Sequence, residues 1–455
     1  MAEIPEPPIP RQLWDLAVPV IGLNLLSTLA LAIDTAMCSR LPDASRALTA
    51  LGFAAQIVFL LTVLMMGLSI GTIALVARAR GARDAARAKT LLAQSTSATV
   101  ILGVAVGILS NLFAPSMLEL LGASEEAKST ALEFLRPLLA ATVLSYLTLL
   151  YTAVLRASGN TRLPFRIAVF ATVINVAVNY ALINGKLGAP ALGVRGAALG
   201  TVSAQLFSVI ATFFALRAGA APSVRPAIAW RLDRSIVAEM LRIGAPAAFD
   251  MILLNLGFLS LVGMLGRIDQ DAVAAHGIGL RIQALAFVPG LGISQASAAL
   301  VGRALGANAP DRARAVVRSS IMMCTGVMGA LGLVLVGGAS TLVGAFGAAS
   351  SGEIHDLTVL WLEILGLSMP IFGVHIALVG LLQGSGATWT SLTINLTTTL
   401  GLQIPLAYLL AFSAGLGPLG VWLSFPCGFL AKAILETVAY RRGSWARTGV
   451  TLTGG

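Results

Sequence analysis

A chain that repeats itself at half its own length folds most economically as two copies of one unit. Here Leu155-Arg156-Ala157-Ser158-Gly159-Asn160-Thr161 recurs as Leu382-Gln383-Gly384-Ser385-Gly386-Ala387-Thr388, an offset of 227 residues. Leu75-Val76-Ala77-Arg78-Ala79-Arg80-Gly81-Ala82 recurs as Leu300-Val301-Gly302-Arg303-Ala304-Leu305-Gly306-Ala307, an offset of 225, and Gly193-Val194 is read as returning at Gly420-Val421. The matches cover most of each half. Duplicated helical bundles are a common construction of secondary transporters.

Composition sets the solvent in which the two copies fold. With 57% hydrophobic residues, 11% charged residues and a mean hydropathy of +0.88, the chain lies well outside the range of soluble domains, whose apolar share is about 45–50%. A bilayer span takes roughly 20 apolar residues. Twelve such stretches are predicted, near 13–38, 48–77, 91–117, 131–155, 163–186, 192–216, 239–265, 272–302, 316–347, 356–382, 389–413 and 416–440, six in each half. The fold class is therefore an all-α polytopic membrane protein with twelve transmembrane helices. An even number of spans per repeat gives both halves the same orientation, so the bundles are related by a pseudo-two-fold axis along the membrane normal. The N-terminal lobe is assigned to residues 1–216 and the C-terminal lobe to 239–455. Between them 217–238, the longest polar stretch, with Pro222 and Pro226, is read as a cytoplasmic interlobe linker.

The net charge of +10 is a topology signal. Twelve spans put most of the 30 Lys and Arg on one side, including Arg78, Arg80, Arg83, Arg87, Arg156, Arg162, Arg217, Arg225, Arg303, Arg312, Arg441 and Arg447. The opposite loops carry Glu119, Glu125, Asp269, Asp271 and Glu353. By the positive-inside rule the basic side is cytoplasmic and both termini lie on it, which leaves no nucleic-acid role to explain. Met1 to Pro10 has no basic start or small-residue cleavage site, so the first span is expected to be retained. Cys38, Cys324 and Cys427 are odd in number and far apart, and are read as packing residues.

Ionisable groups within spans are costly and are functional candidates first. Asp34 lies about 30 Å along a helix starting near residue 13, toward its outer end. On the fifth span Asn175 and Asn179 lie about 18 and 24 Å up, and Thr201 about 14 Å in from the outer end of the sixth, so four polar groups share the outer half of the first bundle. In the second half, Asp250 about 14 Å up the seventh span and Arg281 about 16 Å down the eighth are at depths that permit pairing, either as a structural salt bridge or in a coupling or substrate role. Glu363 is a further cation-attracting candidate. His276 and His375 are read as packing or hydrogen-bonding residues, and Met65, Met66, Tyr146, Tyr151 and Phe53 as bundle packing able to line an apolar pocket.

Pro19 fifteen residues before Asp34, the run Ile33-Asp34-Thr35-Ala36-Met37, the run Asp271-Ala272-Val273-Ala274-Ala275-His276, the paired Gly-Ala loops after Arg80 and Leu305, and Leu155 to Pro164 together resemble the multidrug and toxic compound extrusion family. The resemblance covers nearly the whole chain and is greatest to the bacterial branch containing the DNA-damage-inducible protein F. It implies export of cationic amphipathic compounds by alternating access, driven by protons or sodium ions, in a bacterial inner membrane. It also implies that Asp34, Asn175 and Asn179, with Thr201 as a fourth member, form the cation-coupling cluster, and that Pro19 bends the first helix. Several relatives carry a second aspartate where this chain has Asn179. Oxygen atoms of Asp34, Asn175 and Asn179 are equally a sodium site. No cofactor beyond the coupling H+ or Na+ is expected. The expected partners are small organic cations and the lipid bilayer, and the expected state is a monomer. The alternative within the same superfamily is a flippase for lipid-linked oligosaccharides or peptidoglycan precursors. That role calls for a basic cavity, whereas Asp34, Asp250 and Glu363 stand against Arg281 alone. An enzyme is not indicated: the chain has no metal-ligand cluster, no activated nucleophile and no Walker sequence.

Overall fold

The computed structural model describes residues 7–41, 43–221, 226–345 and 352–446; Arg225 and Arg447 of the basic set and Pro222 of the linker lie outside them. The described residues form helices without strands. These are α1 (Ile9–Cys38), α2 (Ala44–Gly81), α3 (Ala85–Leu120), α4 (Glu125–Ala140), α5 (Thr142–Ala157), α6 (Arg162–Asn184), α7 (Val194–Arg217), α8 (Arg234–Ile268), α9 (Gln270–Gly306), α10 (Pro310–Ala345), α11 (Glu353–Ser385), α12 (Thr388–Thr398), α13 (Ile404–Tyr408) and α14 (Pro418–Arg442). Among the described residues eleven helices are long and apolar enough to cross a membrane, with Thr388–Ser413 as one span, and twelve result when α4 and α5 are taken as one. Side chains that would be anomalous in water, such as Leu112 and Leu333 at 68% and 76% exposure, cover the outer faces. In a bilayer they meet hydrocarbon.

Two predicted spans are less regular than hydropathy suggested. The fourth bends by 55° between α4 and α5. Pro137 lies one turn before that break and has no N–H to donate to the Glu133 carbonyl, so the turn leading into the bend is one hydrogen bond short. The eleventh opens into π-helical turns at Thr399–Gln403 and Leu409–Ser413 on either side of α13. Such wide turns cluster at functional sites.

The duplication reappears in backbone dihedrals. Arg83 and Asn308, 225 residues apart, are both non-glycine residues in the left-handed region, at φ 58° and 53°. Each sits in the turn that ends the long second helix of its repeat. Gly159 and Gly386, 227 apart, match at φ 79° and 76°. The third correspondence needs correcting. Gly193, φ 53° and ψ −131°, caps α7, and its conformational twin is Gly417, φ 57° and ψ −135°, which caps α14. The offset there is 224, so Gly196 matches Gly420 and the sequence pairing of Gly193 with Gly420 was three residues out. Both matched pairs do the same work: a Cβ on Gly196 would come within 2.7 Å of Leu182 backbone, and one on Gly420 within 2.5 Å of the Leu410–Ala411 backbone.

The chain divides into two compact units, Gly22–Gly244 and Met1–Ile21 with Ala245–Gly455. The division therefore falls inside α1, two residues after Pro19, and inside α8, next to Pro246, which is Pro19's counterpart at 227. The polar segment 217–238 does not separate the units. Its described part is tied to α3 of the first unit. Gln94 Nε2 donates to Arg231 O at 3.1 Å, its Oε1 accepts from Asp233 N at 2.9 Å, and Ser97 Oγ bonds the Ala229 backbone. Trp361, Trp422 and Trp445 are fully buried in the second unit. The first unit has a core about Met65, Leu91, Leu150, Tyr146 and Tyr151, with the Tyr146 hydroxyl donating to Leu61 O at 2.6 Å. Of the cysteines, Cys38 and Cys324 are buried as expected of packing residues, whereas Cys427 is exposed.

Candidate functional site

In the first unit the structure brings together all four polar residues that sequence depth placed at one level. Asn179 Nδ2 donates to Asp34 Oδ1 at 2.6 Å, and lies 3.3 Å from Asn175 Oδ1. Asn175 Nδ2 in turn donates to Thr201 Oγ1 at 3.4 Å. With the Asn175 amide turned over, its Nδ2 is 3.0 Å from Asp34 Oδ1 and its Oδ1 accepts from Thr201 N at 3.2 Å. Either orientation keeps the residue in the network. Three helices therefore contribute: α1 the carboxylate, α6 the two amides one turn apart, and α7 the hydroxyl. Asn175 and Asn179 are 4% and 0% exposed, while Asp34 and Thr201 are half-buried.

Local sequence explains the closeness. Asn175 and Asn179 are four apart and so share one helix face. Gly200 lies opposite them on α7; a Cβ there would sit 1.9 Å from Asn179 Oδ1. The absent side chain is the space into which the Asn179 amide fits, and Asn179 Oδ1 is buried there without a hydrogen-bond partner. The amide is thereby oriented with its N–H toward Asp34. An uncharged donor in this position stabilises the ionised carboxylate, where a second carboxylate would repel it. A proton or small cation that reaches Asp34 competes with that N–H for the same oxygen.

The second unit holds a separate polar cluster whose make-up differs from expectation. Asp250 Oδ2 accepts from Ser391 Oγ at 3.1 Å and Asn395 Nδ2 at 3.0 Å. Arg281 is exposed, and no ion pair joins it to Asp250 among the described residues. The similar depths of the two residues did not reveal that they face different surroundings. Glu363, on α11, is half-buried and likewise outside this cluster. Sequence reading missed two buried charged residues of the same unit on α14, Lys432 and Glu436, which are 4% and 1% exposed. His375 Nδ1 lies 3.0 and 2.9 Å from the Glu436 carboxylate oxygens. The available signal was a lysine and a glutamate four apart within a span of otherwise apolar residues. His276 is instead enclosed by Phe258, Trp361 and Phe425, with ring centroids 5.7, 5.1 and 6.1 Å away. No group of three or more His, Cys, Asp or Glu placed to hold a metal ion occurs among the described residues.

Duplicated bundles of helices long and apolar enough to cross a membrane, with a few polar side chains gathered inside them, define the class as a membrane transporter. The chain belongs to the MatE family, whose model matches residues 19–181 and 246–409. The two matched segments begin at Pro19 and Pro246, one repeat period apart. A Thermotoga maritima protein named "Probable multidrug resistance protein NorM" is 26% identical over 98% of this chain and 95% of its own. A Bradyrhizobium diazoefficiens protein of the same name is 29% identical over 94% and 92%. The fold matches a solved structure described as the outward-facing conformation of a multidrug resistance MATE family transporter of the MOP superfamily. That match has a TM-score of 0.87, 24% identity and 97% of both chains covered.

Proposed function

We propose that this protein is a secondary active antiporter that exports cationic, amphipathic compounds from a bacterial cell across the inner membrane, with the coupling cation exchanged at Asp34. The relatives named as multidrug resistance proteins support the cargo class. The observation that carries the coupling role is the 2.6 Å contact between Asp34 and Asn179 within an otherwise apolar bundle.

The same contact favours a proton over sodium. An ionised Asp34 accepts from the Asn179 N–H; a protonated Asp34 donates to the amide oxygen once the amide turns over. A sodium ion requires several oxygens directed at one point, whereas Asn179 presents its nitrogen to Asp34 and its oxygen to the Gly200 notch. The acids at Asp34 and Asp250 also fit a cationic cargo better than the pyrophosphate of a lipid-linked precursor. Both termini facing the cytoplasm follows from the basic loops. The narrower relation to the branch of the DNA-damage-inducible protein F rests on residue pattern alone, since the relatives above carry the NorM name.

Purified protein in proteoliposomes, supplied with tetraphenylphosphonium and either a proton or a sodium gradient, tests this reading. Export driven by the proton gradient and accompanied by proton movement is expected. Export driven by sodium alone overturns the choice of ion, and transport in neither condition overturns the antiport reading.

A further inference from the structure

The segment between the two repeats carries the most exposed tryptophan of the chain. Trp230 is 98% exposed, and Ile228 and Leu232 to either side of it are exposed as well. Large apolar side chains standing free in water are costly, yet the backbone beneath these three is held in place on α3 of the same unit. Ser97 Oγ donates to Ala229 O at 3.0 Å and accepts from Ala229 N at 2.8 Å, and the two ends of the Gln94 amide bind Arg231 O and Asp233 N. Residues 229, 231 and 233 thus turn backbone groups to α3, and the residues alternating with them are the exposed apolar ones.

The tether also fixes depth. Gln94 and Ser97 lie three and six residues past residue 91, where the apolar stretch predicted on α3 begins, or about 5 and 9 Å into it; Arg87 and Lys89 come just before it. The segment is therefore held at the edge of the hydrocarbon, the level at which tryptophan is enriched in membrane proteins. Charge then selects among the molecules found there. Arg231 and Arg234 are exposed, as is Arg242, two turns along the same face of α8 as Arg234, and none of the three forms an ion pair among the described residues. The acids beside them are engaged: Asp233 Oδ1 accepts from Ser235 N and Ile236 N at the start of α8, and Glu239 pairs with Arg87 at 3.2 Å. The surface around Trp230 keeps an excess of guanidinium groups, whose forked N–H donors match phosphate oxygens.

We infer that residues 228–234, with Arg242, are a docking surface for anionic phospholipid. Ile228, Trp230 and Leu232 enter the edge of the hydrocarbon, and the arginines bind the headgroup phosphate. The chain that joins the repeats is thereby a membrane anchor selective for lipid charge. Neither the cargo nor the coupling ion proposed above enters into it.

Quenching of tryptophan fluorescence by brominated lipid tests this on the whole protein in nanodiscs. The bilayer holds phosphatidylcholine and phosphatidylglycerol in equal amounts, with bromine on the chains of one or the other. Subtracting the signal of Trp230→Phe removes the other five of the six tryptophans. The Trp230 component is expected to be quenched by both lipids, and on the order of tenfold more by phosphatidylglycerol. A basic residue near an anionic surface contributes roughly fivefold in affinity, so Arg231→Gln/Arg234→Gln should lose most of the preference while quenching itself persists. Arg231→Lys/Arg234→Lys should retain it, and high salt should weaken it. A Trp230 component quenched by aqueous iodide and by neither lipid, as a protein-docking patch standing in water would give, overturns the inference. Equal quenching by the two lipids overturns it as well, and so does a preference unchanged in Arg231→Gln/Arg234→Gln. Any of these results leaves the antiport reading intact, and proteoliposomes that export nothing leave the lipid surface intact.

Discussion

Gly200 on α7 and Asn179 on α6 fit together as notch and side chain: any Cβ at residue 200 would lie 1.9 Å from Asn179 Oδ1. The polar cluster around Asp34 therefore depends on a residue with no side chain at all. Gly200→Ala is expected to push the Asn179 amide off Asp34 and to cost about 1–3 kcal/mol through overpacking. Export should fall on the order of tenfold or more, while Gly263→Ala, where a Cβ meets nothing within 4 Å, is tolerated. Transport rates and melting temperatures of the two variants check this together.

Asp250 and Arg281 should behave independently. Arg281→Gln, at an exposed position, is expected to change stability by no more than about 0.5 kcal/mol. A double-mutant cycle with Asp250→Asn should give a coupling energy near zero, within about 0.5 kcal/mol. Coupling well above that value would restore the pair predicted from sequence.

The His375–Glu436 contact joins α11 to α14 at 2.9–3.0 Å with the carboxylate fully buried. Removing one side of a buried hydrogen bond costs about 1–3 kcal/mol because the remaining partner is left unsatisfied. Glu436→Ala should therefore lower the melting temperature more than His375→Gln, which retains a donor. Thermal unfolding of the detergent-solubilised variants measures the order.

Gln94 tethers residues 231 and 233 to α3 through both ends of its amide. Gln94→Ala removes both bonds and leaves two backbone groups to find water, at roughly 1 kcal/mol each. The expected result is faster protease cleavage between residues 226 and 233 with unchanged stability of the bundles, read by limited proteolysis and melting curves.

Much of this molecule was legible because hydrocarbon is a demanding solvent. A span must be apolar over its whole length, so Ala44–Gly81 or Glu353–Ser385 announces itself, and the few polar residues left inside, such as Asp34 and Asn179, stand out. Spacing then placed Asn175 and Asn179 on one face. Hydropathy does not report direction around a helix or the breaks within it. It could not show that Arg281 is exposed while Asp250 is buried, that Pro137 precedes a bend, or that Thr399 begins a wide turn. Lys432 and Glu436 escaped notice because the span around them is apolar enough to read as structure alone. The three-residue slip at Gly193 arose from matching Gly-Val by identity, whereas the dihedrals of Gly193 and Gly417 identify the true partners.

The central claim is that the Asp34 carboxyl changes its cation occupancy once per transport cycle. Infrared difference spectroscopy of the protein in lipid, recorded as tetraphenylphosphonium is added near neutral pH, measures this directly when compared with Asp34→Asn. The account predicts a carboxylic-acid band that disappears on substrate binding, with release of one proton, and that is missing from the folded but transport-dead variant. A band unaffected by substrate, or full gradient-driven export by Asp34→Asn, would contradict it.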